Sequence, residues 1–309
     1  MDLLNSLKQF LPILILLAVI GLVFARIPRI EMGHSEAFKR RRRLNWLPLG
    51  LTYAFLYMGR YNLTVSKNAL GSLMSNADFG TIFFWGTLVY GCAFIINGPL
   101  TDKIGGRRAM LIGASGAALS NLAMGLVLAS GFTRNLAVVF SVLYAVNMYF
   151  QSFGAVAIVK VNAHWFHVRE RGVFAGIFGI LISLGVYFAY DWGALIVRNA
   201  PTQWVFFVPA AILAAFVILD YFMVFDSPVH AGHADFDVAD ASSGQEHLTM
   251  DVLSVLKRMF TNPIIMTIAA VEFCSGFLRN AVMQWYIIFA KQTGIIESFV
   301  PHNWGLLLC

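Results

Sequence analysis

Gly98-Pro-Leu-Thr-Asp102-Lys-Ile-Gly105-Gly-Arg107-Arg108 is a short basic connection between two apolar runs, one starting near Thr81 and one near Ala109. Each run continues to about 20 residues, the length needed to cross a bilayer as a helix. Outward from this connection the pattern repeats, with runs beginning near Leu47, Leu136, Val173, Val205 and Pro263 and an earlier one near Phe10. Only segments that satisfy their own backbone hydrogen bonds fit such a series, so the chain is predicted to be all-α, a polytopic helical bundle with eight spans. A ninth run is expected to begin at Trp304, five residues before Cys309.

Composition agrees. Fifty-nine per cent of the 309 residues are apolar and 12% charged, with a mean hydropathy of +0.71, whereas a soluble domain is roughly half apolar and about a quarter charged. The solvent for most of the chain is therefore expected to be lipid. Cys92, Cys274 and Cys309 are odd in number and set in apolar stretches, so they offer neither a disulfide framework nor a metal-ligand spacing. No cofactor and no nucleic-acid partner is expected. The first run, residues 10–25, is followed rather than preceded by its positive charges and has no small-residue cleavage site, so it reads as an uncleaved anchor rather than a signal peptide.

The basic clusters at residues 39–43, 103–108, 169–171 and 257–258 fall on one side if every run spans, and the positive-inside rule makes that side cytoplasmic. The amino terminus is then outside. The long polar connection from Asp226 to about Thr249 is rich in Asp, Ser, Gly and His and reads as a flexible cytoplasmic linker. The expected organisation is an anchor (1–30), a basic segment (31–45), a six-helix bundle (46–225), a linker (226–258) and the start of a second bundle (259–309).

Six helices, a long cytoplasmic loop and a second set resemble the major facilitator superfamily, whose substrate site lies at the midplane between two halves. The opening stretch is similar to that superfamily's G-x-L-x-D-x-x-G-x-R-R motif between its second and third helices, with Gly98, Asp102, Gly105, Arg107 and Arg108 in place. Its chemistry is readable directly: the glycines allow a tight turn and close helix approach, and Asp102 can pair with a guanidinium or cap a helix N-terminus. The positive-inside rule alone would also give a basic loop here.

Within the superfamily the chain is most similar to the organophosphate:phosphate antiporters. The resemblance rests on Gly59-Arg60-Tyr61-Asn62, on Lys160 and His164-Trp165-Phe166 with Arg169-Glu170-Arg171-Gly172, and on Leu278-Arg279-Asn280-Ala281-Val282-Met283-Gln284-Trp285. It covers the chain from about Arg43 onward. It implies that Arg60 and Arg279, one from each half, bind phosphate, with Tyr61 and Asn62 beside them. It also implies a second half that is incomplete here, the chain ending after the family's seventh helix.

An arginine deep in a spanning helix is costly and normally faces a cavity or a partner. Counted from Pro48 and Pro263 at 1.5 Å per residue, Arg60 and Arg279 lie about 18 and 24 Å along their helices, within about one turn in depth. Two guanidinium groups suit a dianionic phosphate ester. The alternative for Arg279 is an ion pair with Glu272, seven positions earlier, and Glu272 is also a candidate for a coupling proton. Lys160 and Gln151, with Asn147, form a polar stripe that either lines the cavity or, for Lys160, snorkels to the interface.

The departures from the family pattern concern the organic part of the substrate. Where the family carries a Trp, an amide and a His-Asn pair after Arg171-Gly172, this chain has Phe178, Gly179, Ile182, Ser183 and Gly185-Val186. The site histidine is absent, and a lysine that some members carry within residues 90–94 is replaced by an apolar residue. Three functions follow: a transporter in the bacterial inner membrane exchanging a phosphorylated metabolite for inorganic phosphate, a membrane sensor of phosphate esters, or an inactive fragment. An enzyme is not expected, since no nucleophile, metal set or phosphate-cradling glycine loop is present.

Overall fold

Local sequence sets the helix boundaries. In a computed structural model, which describes residue 18 and residues 33–239, 252–302 and 304–308, helix α1 (Glu36–Leu70) starts at Ser35. The Ser35 hydroxyl accepts from the Phe38 N–H at 3.2 Å. Helix α2 (Asn76–Ile104) starts at a capping box in which Ser75 and Asp78 each accept the other's backbone N–H. It ends at Gly105, whose φ of +88° favours glycine and separates it from α3 (Gly106–Ala129). Helix α4 (Leu136–Trp165) follows a left-handed Asn135. Helices α5 (Arg171–Tyr187) and α6 (Gly193–Asn199) run on through a π turn, Phe188–Trp192, as one span. Helix α7 (Trp204–Met223) completes the first bundle.

Beyond it come α8 (Val252–Thr261), α9 (Pro263–Gln292) and two single turns, α10 (Phe299–His302) and α11 (Trp304–Leu307). Among the described residues, six helical stretches are long and apolar enough to cross a membrane: α2, α3, α4, the α5–α6 span, α7 and α9. The run from Leu47 lies in α1, which is longer but less apolar because it sits at the centre. It packs against α3, α4, α5, α7 and the π turn and buries Thr52, Arg60, Asn62, Thr64, Ser66 and Lys67. The outward surface is apolar instead, with Leu119, Val138, Phe222 and Ile264 each more than 60% exposed. A chain with such a surface is a multi-pass integral membrane protein, because water would not tolerate it.

The basic clusters gather at one end of the bundle. Arg42 pairs with Glu170 at 2.9 Å, Arg41 donates to the Met223 carbonyl at 2.6 Å, and Arg107 Nη2 donates to the Tyr221 carbonyl. The first half of the expected flexible linker docks on this end. Asp226 accepts from the Arg107 N–H at 2.7 Å, the Val168 N–H donates to the Val238 carbonyl at 2.9 Å, and the Phe236 ring packs on Phe38 and His34. The expectation of a flexible tether is thus corrected for residues 226–239: Phe236 and Val238 are half-buried against the bundle, and the Asp226 carboxylate meets a helix N-terminus. Residues 240–251 and the expected amino-terminal anchor, residue 18 apart, lie outside the described residues.

Candidate functional site

Arg60 is 7% exposed on α1. Its Nη2 donates to the Tyr90 hydroxyl at 3.0 Å and to the Gln151 side-chain carbonyl at 3.3 Å, and its guanidinium lies 4.8 and 4.5 Å from the Tyr57 and Tyr90 ring centres. Gln151 is held in turn by donating to the Leu56 carbonyl at 2.8 Å. Cation–π contact and two neutral acceptors orient the charge without neutralising it. The buried Nε has no hydrogen-bond partner among the described residues.

Arg279, on α9, lines the same cavity of about 410 Å³, together with Tyr61, Tyr90, Tyr144, Thr87, Ser183 and Gln284. Among the described residues none that lines the cavity is acidic, and neither arginine forms an ion pair. Glu272 is exposed and outside the cavity. It is about 10.5 Å from Arg279 along the helix axis at 1.5 Å per residue, which accounts for the lack of a pair. Two cations thus share one polar hollow without a counter-ion, an arrangement suited to an anion.

Other sequence candidates sit elsewhere for helical reasons. Asn62, about 200° around α1 from Arg60, points into the bundle and donates to Asn121 Oδ1 at 2.6 Å and to the Val205 carbonyl at 3.3 Å. Asn121 and Asn147 both donate to the Gly59 carbonyl, so these amides hold α1, α3 and α4 together. Lys160, nine residues beyond Gln151, reaches Asp102 at 2.7 Å at the basic end. It ties α4 to the end of α2 rather than facing Arg60, and it is Lys160, not a guanidinium, that Asp102 pairs with.

In the same motif Gly105 faces the Asp226 carboxylate, with 2.8 Å from a built Cβ to Oδ2. The Arg107 guanidinium lies 5.3 Å from both the Tyr221 and Phe225 ring centres, and Arg108 is exposed. Gly98 meets open space.

Sequence reading placed Tyr61 beside the arginines but missed the other tyrosines. Tyr53, Tyr57 and Tyr61 recur every four residues on the Arg60 face of α1, a signal that was available. Tyr90 and Tyr144 come from other helices and no local pattern announces them. Ile182, Ser183 and Val186, the positions where the resemblance implied a histidine and its neighbours, do line the cavity and give it a largely apolar wall. At the end away from the basic clusters α9 closes on α1 and the π turn. Thr64 bonds Gln284, the Tyr190 hydroxyl donates to the Met283 carbonyl, and Lys291 donates to the Asn68 carbonyl at 2.8 Å.

A family model described as Major Facilitator Superfamily matches residues 49–300. A glycerol-3-phosphate transporter of Bacillus subtilis is 23% identical over 311 aligned residues, covering 93% of this chain and 66% of that protein. A probable hexose phosphate transport protein of Chlamydia pneumoniae is 22% identical, covering 78% of this chain and 55% of its own. Membrane sensor protein UhpC of Salmonella typhimurium is 26% identical over 152 residues, covering 48% and 33%. The chain thus spans between about half and two-thirds of the length of the transporters it matches. With more than three-quarters of its residues inside that match and a helical bundle enclosing a polar cavity, the chain belongs to the Major Facilitator Superfamily.

Proposed function

We propose that this chain carries the anion-binding residues of a secondary transporter of phosphorylated organic metabolites, exchanging them for inorganic phosphate across a bacterial inner membrane by alternating access. It is a transporter rather than an enzyme in this reading. The observation that carries it is the pair Arg60 and Arg279, brought from opposite halves to one cavity with no acidic residue among the described residues that line it. The names of the transporters it resembles support a phosphate ester as substrate. Tyr61 lines the hollow beside the arginines, Gln151 fixes Arg60 from behind, and the motif from Gly98 to Arg108 with Asp102 and Lys160 braces the cytoplasmic end.

Lysine keeps the charge but loses the planar two-donor fork. Charge-assisted hydrogen bonds are worth about 1.5 to 3 kcal/mol each, so Arg60→Lys and Arg279→Lys should each weaken phosphate binding by more than about tenfold. Calorimetry on the protein in detergent, at matched thermal stability, reads this out; wild-type affinity in either variant removes that residue from the site. The similarity to a membrane sensor supports a second reading, in which the same cavity reports on a phosphate ester. Ligand-dependent association with a partner kinase, without uptake into vesicles, would select it.

A further inference from the structure

The ten-residue helix α8 has no role in the cavity, yet its sequence is sorted. At 100° per residue, Val252, Leu253, Val255, Leu256, Met259 and Phe260 fall within an arc of about 160°, and Ser254, Lys257, Arg258 and Thr261 fill an opposite arc of about 100°. Met259 is 45% and Phe260 68% exposed, and Lys257 and Arg258 are exposed too. On its apolar side the helix thus carries Met259 and Phe260, which the described protein leaves exposed.

Its attachment restricts where that side can go. A single residue, Asn262, separates α8 from the spanning helix α9, and its backbone is extended (φ −85°, ψ 115°). Its side chain caps α9 by accepting from the Ile264 N–H at 3.0 Å and the Ile265 N–H at 3.4 Å. The two helices are therefore not one continuous rod. α9 begins its apolar course at Pro263, on the side of the basic clusters, so α8 is tethered by one residue to the level where the bilayer ends. A helix at that level, apolar on one side and basic on the other, suits the headgroup boundary of an anionic leaflet.

We infer that α8 is an in-plane membrane helix, its Val252–Phe260 side sunk among acyl chains and Lys257 and Arg258 set against anionic phospholipid headgroups. The inference does not rest on the transport reading, since it uses none of the cavity residues. A helix anchored this way would hold the start of α9 at a fixed depth.

The test is spin-label accessibility on the whole chain in vesicles of phosphatidylcholine alone and of phosphatidylcholine mixed with phosphatidylglycerol. Labels are placed through Phe260→Cys or Ser254→Cys, with Cys92→Ala, Cys274→Ala and Cys309→Ala; Met259→Cys serves as a second apolar-side position should the first fail to fold. Expected is preferential access of oxygen at 260 and 259 and of a water-soluble nickel chelate at 254. Phosphatidylglycerol should deepen the contrast, and Lys257→Gln with Arg258→Gln should abolish that deepening. Nickel access at 260 equal to that at 254 would put the helix in water and overturn the inference. Exclusion of both reagents from 260 would mean that protein covers it, a second copy or another segment, and would overturn it as well. Equal immersion in both vesicle types would overturn the anionic preference.

Discussion

Arg60 shows how a residue too costly for its position is made tolerable without being neutralised. Two tyrosine faces and two neutral oxygens take up its π and hydrogen-bonding capacity, while its charge stays uncompensated. A carboxylate in the same place would have made a stable internal pair and closed the cavity to anions. Among the described residues the cavity lining includes no histidine or carboxylate, so none of these lining side chains has an unperturbed ionisation between pH 5 and 8. Phosphate-ester affinity should therefore follow the ligand's own second ionisation, near pH 6, rising as pH increases through it and flat above. Calorimetry from pH 5 to 8 checks this; a second inflection that the free ligand lacks would put a titrating protein group in the site.

At the scale of elements, the loop motif divides into positions that hold helices together and positions that do not. A Cβ on Gly106 would lie 2.7 Å from the Val161 side chain and 2.9 Å from the Ala157 carbonyl, so α3 approaches α4 with no room to spare. Gly98 faces open space within α2. Gly106→Ala is expected to destabilise by roughly 1 to 3 kcal/mol through overpacking against backbone. Gly98→Ala should instead be neutral or stabilise by up to about 1 kcal/mol, because it removes chain entropy without a clash. Thermal unfolding in detergent separates the two, and an equal effect would contradict the close approach.

Asp226 acts at the same scale, as a cap supplied from 119 positions further along the chain. Gly105 has no side chain with which to cap α3, and the Asp226 carboxylate takes the Arg107 N–H in its place, at the positive end of the helix dipole. Asp226→Ala should cost about 1 kcal/mol, typical of a lost cap, and should raise amide exchange at residues 226–239. Exchange confined to α3 would mean that the carboxylate caps the helix without holding the segment.

For the whole molecule, the contacts between α9 and the first bundle are unevenly distributed. The buried residues of α9 are Met283, Gln284, Ile288 and Ala290, whereas residues 263–275 are exposed throughout. The cavity is thus closed at the end away from the basic clusters, where Lys291 meets Asn68 and Tyr190 meets Met283. Asn68→Cys with Lys291→Cys should cross-link under mild oxidation in membranes, and a saturating substrate that favours the opposite opening should slow it. Cross-linking at an equal rate with Leu44→Cys and Thr267→Cys, each 24 residues before the first pair, would show that α9 lies along α1 throughout instead of splaying from it.

The sequence by itself determined the helical class, the spacing of the spans, the side on which the basic clusters gather and the two arginines that need an explanation. These follow from period, length and charge, which act locally and need no knowledge of neighbours. Only the tertiary structure decided that Asn62 joins the amide network rather than the cavity and that Lys160 serves Asp102. It also brought Tyr90 and Tyr144 to Arg60 and docked residues 226–239 on the bundle. Each of these is set by which helix stands opposite which at a given depth, a relation between residues as many as 202 positions apart, as for His34 and Phe236, that no local pattern encodes.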